Sequence, residues 1–334
     1  MQIAQRSTSV AGITAGGYNT IDRWTLQLSS LGTWTQAQIA VTGSDEPAAD
    51  GFRNSIRMLC TTNNASPIAG AFLAVTQQIE GQNLQQFAKG NANAKTFAMS
   101  FWVRSNKTGT YIVELYDNDN TRSVSSTYTI AASGTWQKVR VIFPADTTGA
   151  FSNNNTSALQ VNWWLAAGST FTGGSSLQTT WAAVTTNKRA VGQTNLADTT
   201  NNYWQMTGAQ LETDSVCTPF EHEDYSVTFA KCQRYFRTLG DNANVPIACP
   251  AGFLINSTVG YVYINLATPM RSTPTGAVTG SPAYSIGSGA FGTVSSAVFT
   301  GGSSVGGYIA IGGSGLPTGA AYNFFGLLSL SAEL

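Results

Sequence analysis

Hydrophobic and polar residues alternate with a period of two through most of residues 1–220. In residues 97–104, Phe97, Met99, Phe101 and Val103 share one parity, and Trp102 and Arg104 lie on the other. Successive side chains of a β-strand point to opposite faces of the sheet, so this pattern predicts half-buried strands. The same reasoning predicts strands at 25–28, 55–60, 71–76, 97–104, 111–116, 123–130, 136–143, 159–165 and 203–211.

Strands of this length and spacing are typical of a two-sheet sandwich. We therefore expect an all-β protein whose residues 1–220 form a jelly-roll β-sandwich. In residues 159–165 the alternation assigns Trp163 to the core and Trp164 to the outside. The 34 glycines and the abundant Ser, Thr and Asn agree with many tight turns, since these residues lower helix propensity.

Residues 224–236 follow a different period. Val227, Ala230, Lys231 and Arg234 are spaced as on a helix, and acidic residues precede the first turn. This predicts one short helix within a connector, 221–241.

Residues 242–332 contain a single charged side chain, Arg271, among Gly, Ser, Thr, Ala and β-forming residues. We expect a second, small β domain over 242–334. A domain with so little charge tends to associate with its own copies, because its strand edges lack charged residues that prevent pairing. Apolar area for this contact would come from Tyr261, Tyr263, Ile309, Phe324 and Phe325. A monomeric domain solvated by Ser, Thr and Asn is the alternative.

The charge balance excludes several classes of partner. Lys and Arg number 17, as do Asp and Glu, and charged residues make up 10% of the chain against a usual value of about 25%. A nucleic-acid binder or a polybasic membrane-surface protein would show a basic surplus. No apolar run reaches the roughly 18 residues of a membrane span, and no signal peptide is recognisable. We expect synthesis in a cytoplasm and no membrane insertion.

The sequence gives little support for a metal site or for a catalytic nucleophile. Cys60, Cys217, Cys232 and Cys249 form no CxxC pair, and His222 is the only histidine. Zinc spacings are therefore absent, and the cysteines are expected to be small buried groups, although a Cys217–Cys232 disulfide is an alternative. His222 stands in an acidic run, which favours a solvated loop over a catalytic base.

A calcium loop is a weak possibility at Asp117 and Asp119, whose oxygens are spaced two residues apart. An EF-hand would require Gly and Glu at its sixth and twelfth positions, where this chain has Arg122 and Tyr128. An Asx-rich hairpin turn is the favoured interpretation, and no cofactor is expected.

Outward aromatic and polar side chains are the best candidates for binding chemistry, because a sugar ring stacks on an aromatic face while polar groups bond its hydroxyls. Seven residues have the non-core parity and are predicted to form one face: Trp102, Arg104, Glu114, Tyr116, Arg140, Asn162 and Trp164. If Trp102 and Trp164 are exposed, their replacement by Ala should leave the melting temperature nearly unchanged. Alternatively, they pack under a loop, under the helix or against another subunit.

A glycosidase would require two carboxylates about 5 to 10 Å apart. Glu114 and Glu212 are the only acids in predicted strands, and no sequence feature brings them together. We therefore expect no enzymatic activity, with a particle-borne or secreted glycan hydrolase as the alternative.

Several segments together resemble the tail-fibre and appendage-like virion proteins of tailed phages. They are Met1–Ser9, Tyr18–Trp24, Phe101–Ser105, Gln210–Glu212, Thr218–Glu221, Cys232–Phe236 and the chain end Ser329–Leu334. The resemblance implies a jelly roll similar to carbohydrate-binding modules, host-surface glycans and other virion proteins as partners, assembly as a homo-oligomer, most often a trimer, and location in the virion after synthesis in the bacterial cytoplasm. It implies no catalytic residue. A tail fibre and a capsid-surface fibre or decoration both fit.

The chain departs from that group in one loop. Asp214 stands where similar chains have glycine, and Cys217 stands where they have alanine. We therefore expect this loop to turn differently.

Overall fold

A computed structural model describes residues 1–240, 252–286, 290–313, 316 and 321–334; Cys249 lies outside them. The protein is all-β, as the alternation predicts. It divides into two compact units, one of residues 1–223 with Leu334 and the other of residues 224–333.

The first unit is a sandwich of two six-stranded antiparallel sheets. The first sheet has the spatial order β1 (Ser9–Ile13), β3 (Thr33–Ala40), β4 (Asn54–Thr62), β12 (Tyr203–Glu212), β6 (Phe97–Ser105) and β9 (Gln137–Phe143). The second sheet has the order β11 (Ala182–Ala183), β8 (Arg122–Ile130), β7 (Gly109–Asp117), β10 (Ser157–Ala167), β5 (Phe72–Glu80) and β2 (Trp24–Ser29). Two short helices, α1 (Glu46–Ala49) and α2 (Ser169–Thr172), lie in connections.

The inward parity of both sheets forms one hydrophobic core. Phe97, Met99, Phe101 and Val103 are buried in it, as their alternation predicts, and Trp163 contacts both Trp24 and Phe101. All nine predicted strands are present.

Strands β1 and β3 were not predicted, because neither alternates cleanly. In β3 the inward position 36 is a glutamine, which is fully buried and accepts a hydrogen bond from Thr20 at 2.8 Å. In β1 the pairing register shifts between Val10 and Ile13, where Gly12 has φ +72°.

The second unit begins with helix α3 (Tyr225–Gln233), whose first turn is capped by Asp224. The described part of this unit then contains eight strands: β13 (Phe236–Leu239), β14 (Gly252–Leu254), β15 (Val259–Asn265), β16 (Thr275–Ile286), β17 (Ala290–Thr293), β18 (Ser296–Ser303), β19 (Gly306–Gly312) and β20 (Ala321–Ser331). They form one antiparallel sheet system over a core of its own.

The predicted connector at 221–241 is not a separate element. Strand β13 pairs with β20 from Phe236 opposite Ser331 to Leu239 opposite Leu328. The helix and β13 therefore belong to the second unit, which starts at Asp224.

The turn proposed as a calcium loop is occupied by a lysine. The Lys89 ammonium lies 2.5 Å from the Asp117 carboxylate and 3.1 Å from that of Asp146, and it donates to the carbonyls of Thr148 and Gly149. Asp119 accepts a backbone hydrogen bond from Ser152. A cation beside Asp117 would be repelled by the ammonium, so the calcium interpretation is wrong for this geometry.

Burial raises the pKa of Asp146, but hydrogen bonds from Arg122, Thr148 and Lys89 outweigh this effect and hold the pKa below its usual value. A carboxyl whose pKa is depressed by folding stabilises the native state above its unfolded pKa of about 3.9, and this stabilisation is lost as the pH falls.

Replacing Lys89 by Met should lower the free energy of unfolding by about 3–5 kcal/mol at pH 7, because Asp117 and Asp146 lose a buried counter-charge. The deficit should shrink as the pH falls, because protonation of the Asp146 carboxyl removes a charge that Lys89 compensates. Urea unfolding measures both values, with Lys95→Met at an exposed position as the control. Equal stability of the two variants at pH 7 would contradict the assigned role of Lys89.

Candidate functional site

The seven candidate residues do not share one face. Trp102, Arg104 and Arg140 belong to the first sheet, whereas Glu114, Tyr116, Asn162 and Trp164 belong to the second. The two sheets pack through their inward sides, so their non-core sides face away from each other. The prediction of a single polar-aromatic face is therefore wrong, because strand parity does not tell which sheet a strand joins.

A segment of residues 41–53, which contains α1, covers part of the outer side of the first sheet. Trp102 donates from Nε1 to Asp50 at 2.9 Å, and Arg104 contacts Asp45 at 2.9 Å. The Phe52 ring packs on Gly208, where a side chain would collide with it and where φ is +61°. Trp102 and Arg104 are consequently half-buried, and only Arg140 of these three candidates is exposed.

The acids of this segment are fixed by the sheet. Asp50 accepts from Lys138 at 2.8 Å, and the hydrogen bonds from Lys138 and Trp102 lower the pKa of its carboxyl. The Nε1 group of Trp136 donates to Asp45 at 3.1 Å. Both indole groups hold the covering segment, so this side is a packed layer and not an open aromatic platform.

The second sheet has a buried carboxylate at the centre of its outer side. Glu114 accepts two hydrogen bonds from Arg189, at 2.7 and 2.8 Å, and one each from Asn162 and Trp164, both at 3.1 Å. Glu114 and Asn162 are 0% exposed. Burial lowers the pKa of Arg189, but the charge and hydrogen bonds of Glu114 outweigh it and raise the pKa.

Residues 168–195 form the segment that carries Arg189 over this side of the sheet. Ala190 and Phe171 pack beside Trp164 and Ile112 in a small second apolar cluster. Trp164 is therefore only 2% exposed, which agrees with the alternative that it packs under a loop. Sequence reasoning missed Arg189, because the segment has no periodicity that would place it against a strand.

Glu114, Asn162 and Trp164 hold this covering segment and are closed to a ligand as the structure stands. Their assignment as direct glycan contacts is therefore corrected. Their outward parity was assigned correctly, but a segment distant in the chain covers the surface they occupy.

A half-buried row remains accessible beside the covered region. Tyr116, Gln160 and Gln78 are directly opposite one another on β7, β10 and β5. Gln27 donates to Gln160 at 3.2 Å, and the Arg189 guanidinium lies 4.7 Å from the centre of the Tyr116 ring. We call these residues the Tyr116–Gln160–Gln78 row.

The row offers amide donors and acceptors beside an aromatic ring. Gln78 donates to the Tyr18 hydroxyl and to the carbonyl of Leu334, which fixes its amide. The Glu114 carboxylate on the same side of the sheet accepts hydrogen bonds from Arg189, Asn162 and Trp164. This arrangement can bind a neutral polyhydroxylated ligand through hydrogen bonds and ring contact.

The structure also tests the other features considered in the sequence: the histidine, the cysteines, a metal site and a membrane-spanning segment. His222 is exposed, and its Nε2 lies 2.7 Å from the carbonyl of Asp50. Cys60 and Cys217 are free thiols, so the alternative of a Cys217–Cys232 disulfide is wrong. Within the described residues, no three His, Cys, Asp or Glu side chains are grouped to hold a metal ion. None of the helices in the described ranges is long and apolar enough to cross a membrane.

No protein family model matches the chain, and no curated protein matches it significantly. Similar solved structures include the enzymatically active domain of tailspike protein 4 from Bacteriophage CBA120, at 13% identity and a TM-score of 0.32. That similarity covers 57% of this chain and 19% of the tailspike chain.

Two further similar structures contain CBM modules. A CBM4 structure is 8% identical, with a TM-score of 0.29 and coverage of 63% of this chain and 97% of the other. The CBM22-1-GH10 modules of Clostridium thermocellum endo-1,4-beta-D-xylanase 10B, complexed with xylohexaose, are 10% identical, with a TM-score of 0.29 and coverage of 68% and 32%. These similarities are too distant to assign a function.

Replacing Trp164 by Ala should lower the free energy of unfolding by about 3–5 kcal/mol, because it empties a buried site and removes a hydrogen bond to Glu114. This reverses the expectation for an exposed ring. Denaturant unfolding measures the loss, with Tyr116→Ala on the same face as the control that should cost less. A Trp164→Ala variant as stable as the parent would show that the covering segment does not need this ring.

Proposed function

We propose that the protein is a non-enzymatic virion structural protein of a tailed phage, a tail-fibre, appendage or capsid-surface component that binds neutral host-surface glycans. The row of Tyr116, Gln160 and Gln78 on the outer side of the second sheet is the observation that carries the glycan part. The resemblance of the quoted sequence segments to virion appendage proteins supports the virion part.

A neutral glycan suits this row because recognition there rests on uncharged groups. Amides of Gln27 and Gln160 are already bonded to each other, which keeps both in one orientation. Arg189 is held by Glu114 and lies over Tyr116, so the ring is supported from the covered side. Groups that are ordered before binding lose less entropy when a ligand arrives.

A glycan hydrolase is the alternative function. Glu114 lies on the same side of the sheet as the row, and its oxygens receive hydrogen bonds from Arg189, Asn162 and Trp164. A general acid or nucleophile needs an oxygen open to the substrate, so this environment favours binding over catalysis.

Self-association through the second unit belongs to the same proposal. Ile309 and Phe324 are 0% exposed and lie in the unit's own core, so they are not available to another copy. Tyr263 is exposed, and Tyr261 and Phe325 are half-buried. Little charge opposes the approach of two copies of the second unit, since Arg271 is the only charged residue in 242–332. A trimer is the state that the resemblance implies.

Tyr116→Ala and Gln160→Ala should each weaken binding of the full chain to purified host-surface polysaccharide by about tenfold, with little change in melting temperature. Arg140→Ala, exposed on the first sheet, is the matched control and should bind like the parent. Equal losses at Arg140 and Tyr116 would refute the placement of the site. New reducing ends that vanish in Glu114→Gln would establish the hydrolase instead.

A chain ending at Glu223 should be a folded monomer, whereas the full chain should sediment as an oligomer at micromolar concentration. The reason is that the first unit has its own core, and the charge-poor second unit is removed. Sedimentation velocity measures both states. Either a monomeric full chain or an oligomeric truncated chain would refute assembly through the second unit.

A further inference from the structure

We propose that the second unit carries a saccharide-binding pocket of its own, formed by Tyr263, Tyr308 and Asn265. A cavity of about 350 Å³ lies between these side chains and the turn that joins β18 to β19. This volume is near the lower end of the roughly 300–1,000 Å³ typical of small-molecule sites. The pocket is separate from the Tyr116–Gln160–Gln78 row, which belongs to the first unit.

Strand pairing places the three side chains on one face. Tyr263 on β15 is directly opposite Tyr308 on β19, and Asn265, two residues further, is opposite Gly306. The ring centres of Tyr263 and Tyr308 are 6.1 Å apart with an angle of 57° between their planes. The cavity lies beside the tilted rings, and Gly301, Gly306 and Gly307 line the rest of it.

Neighbouring residues hold the Tyr308 ring in one position. It lies against Gly301, where an added Cβ would be 2.1 Å from Cε1 of the ring. Tyr261 also contacts the ring, with centres 4.8 Å apart in an edge-to-face arrangement. Tyr308 is therefore oriented before a ligand binds, whereas Tyr263 is 61% exposed and open to contact.

The polar groups of the pocket are available. Among the residues that the structure describes, no protein group bonds to the hydroxyls of Tyr263 and Tyr308 or to the amide of Asn265. The described residues that line the pocket include no charged side chain, and the guanidinium of Arg271 donates to the carbonyls of Ala332 and Glu333. Aromatic faces beside free neutral donors and acceptors fit a neutral sugar ring better than an anion or a cation.

A second copy of the chain is the competing occupant of this face, since Phe253 and Val298 are also exposed there. A pocket with unused polar groups is poorly satisfied by an apolar surface, because buried donors and acceptors without partners destabilise a contact. We therefore assign the pocket to a saccharide, and the oligomer proposed above must use another surface.

The test uses the full chain carrying Tyr116→Ala and Gln160→Ala, so that binding by the first unit is weakened. Saturation-transfer NMR is recorded with four neutral hexasaccharides: maltohexaose, cellohexaose, xylohexaose and mannohexaose. At least one should still bind, and adding Tyr263→Ala should weaken this binding about tenfold, whereas Tyr263→Phe should retain most of it. Gly301→Ala should weaken it as well, because its Cβ displaces the Tyr308 ring.

The matched control is Val298→Ala, which removes an exposed apolar side chain from the same face outside the pocket and should leave saccharide binding unchanged. Melting temperatures and sedimentation are recorded for every variant. The proposal is overturned if no hexasaccharide binds, if Tyr263→Ala binds like its parent, or if Tyr263→Ala dissociates an oligomer without altering saccharide binding.

Discussion

The buried carboxylate of Glu114 determines what the outer side of the second sheet can do. It receives four hydrogen bonds, two of them from Arg189, which lies 75 residues further along the chain. Arg189 brings residues 168–195 onto the sheet, and their apolar side chains then bury Trp164. The Tyr116–Gln160–Gln78 row stays accessible because residues 168–195 do not cover it.

Burying an ion pair costs desolvation free energy. The geometry of the Glu114–Arg189 pair explains why the pair nevertheless stabilises the covering segment. Desolvation of both charges is compensated only when nearly every polar atom has a partner, and Glu114 and Arg189 meet this condition with a bidentate contact. Lys89 meets it in the same way with two carboxylates and two carbonyls. The first unit thus uses several of its few charges inside, and Tyr116, Gln160 and Gln78 of the row on its second sheet are uncharged side chains.

The strands of the first unit could be predicted from sequence because one face of each strand is buried in a common core. Trp163 and Trp164 show the limit of that reasoning. Alternation correctly places the two rings on opposite faces of the strand, yet both are buried. The outward ring, Trp164, is covered by a segment whose sequence shows no hydrophobic periodicity. Strand β3 shows the opposite failure, because the buried Gln36 hides a real alternation.

The candidate site was harder to predict than the fold for the same physical reason. Parity selects residues that point away from the core, but whether such a residue meets solvent depends on contacts between distant segments, such as Asp50 with Trp102 and Arg189 with Glu114. Gln160 and Tyr116 in one unit and Tyr263 in the other stay at least partly open and are uncharged, whereas the exposed Arg140 lies on the other sheet of the first unit. Hydrogen bonding and ring contact between neutral groups are not screened by salt, whereas charge attraction is. A protein with no net charge that recognises ligands through such surfaces can therefore bind them over a wide range of ionic strength, and its specificity must come from the shape and hydroxyl pattern of the ligand.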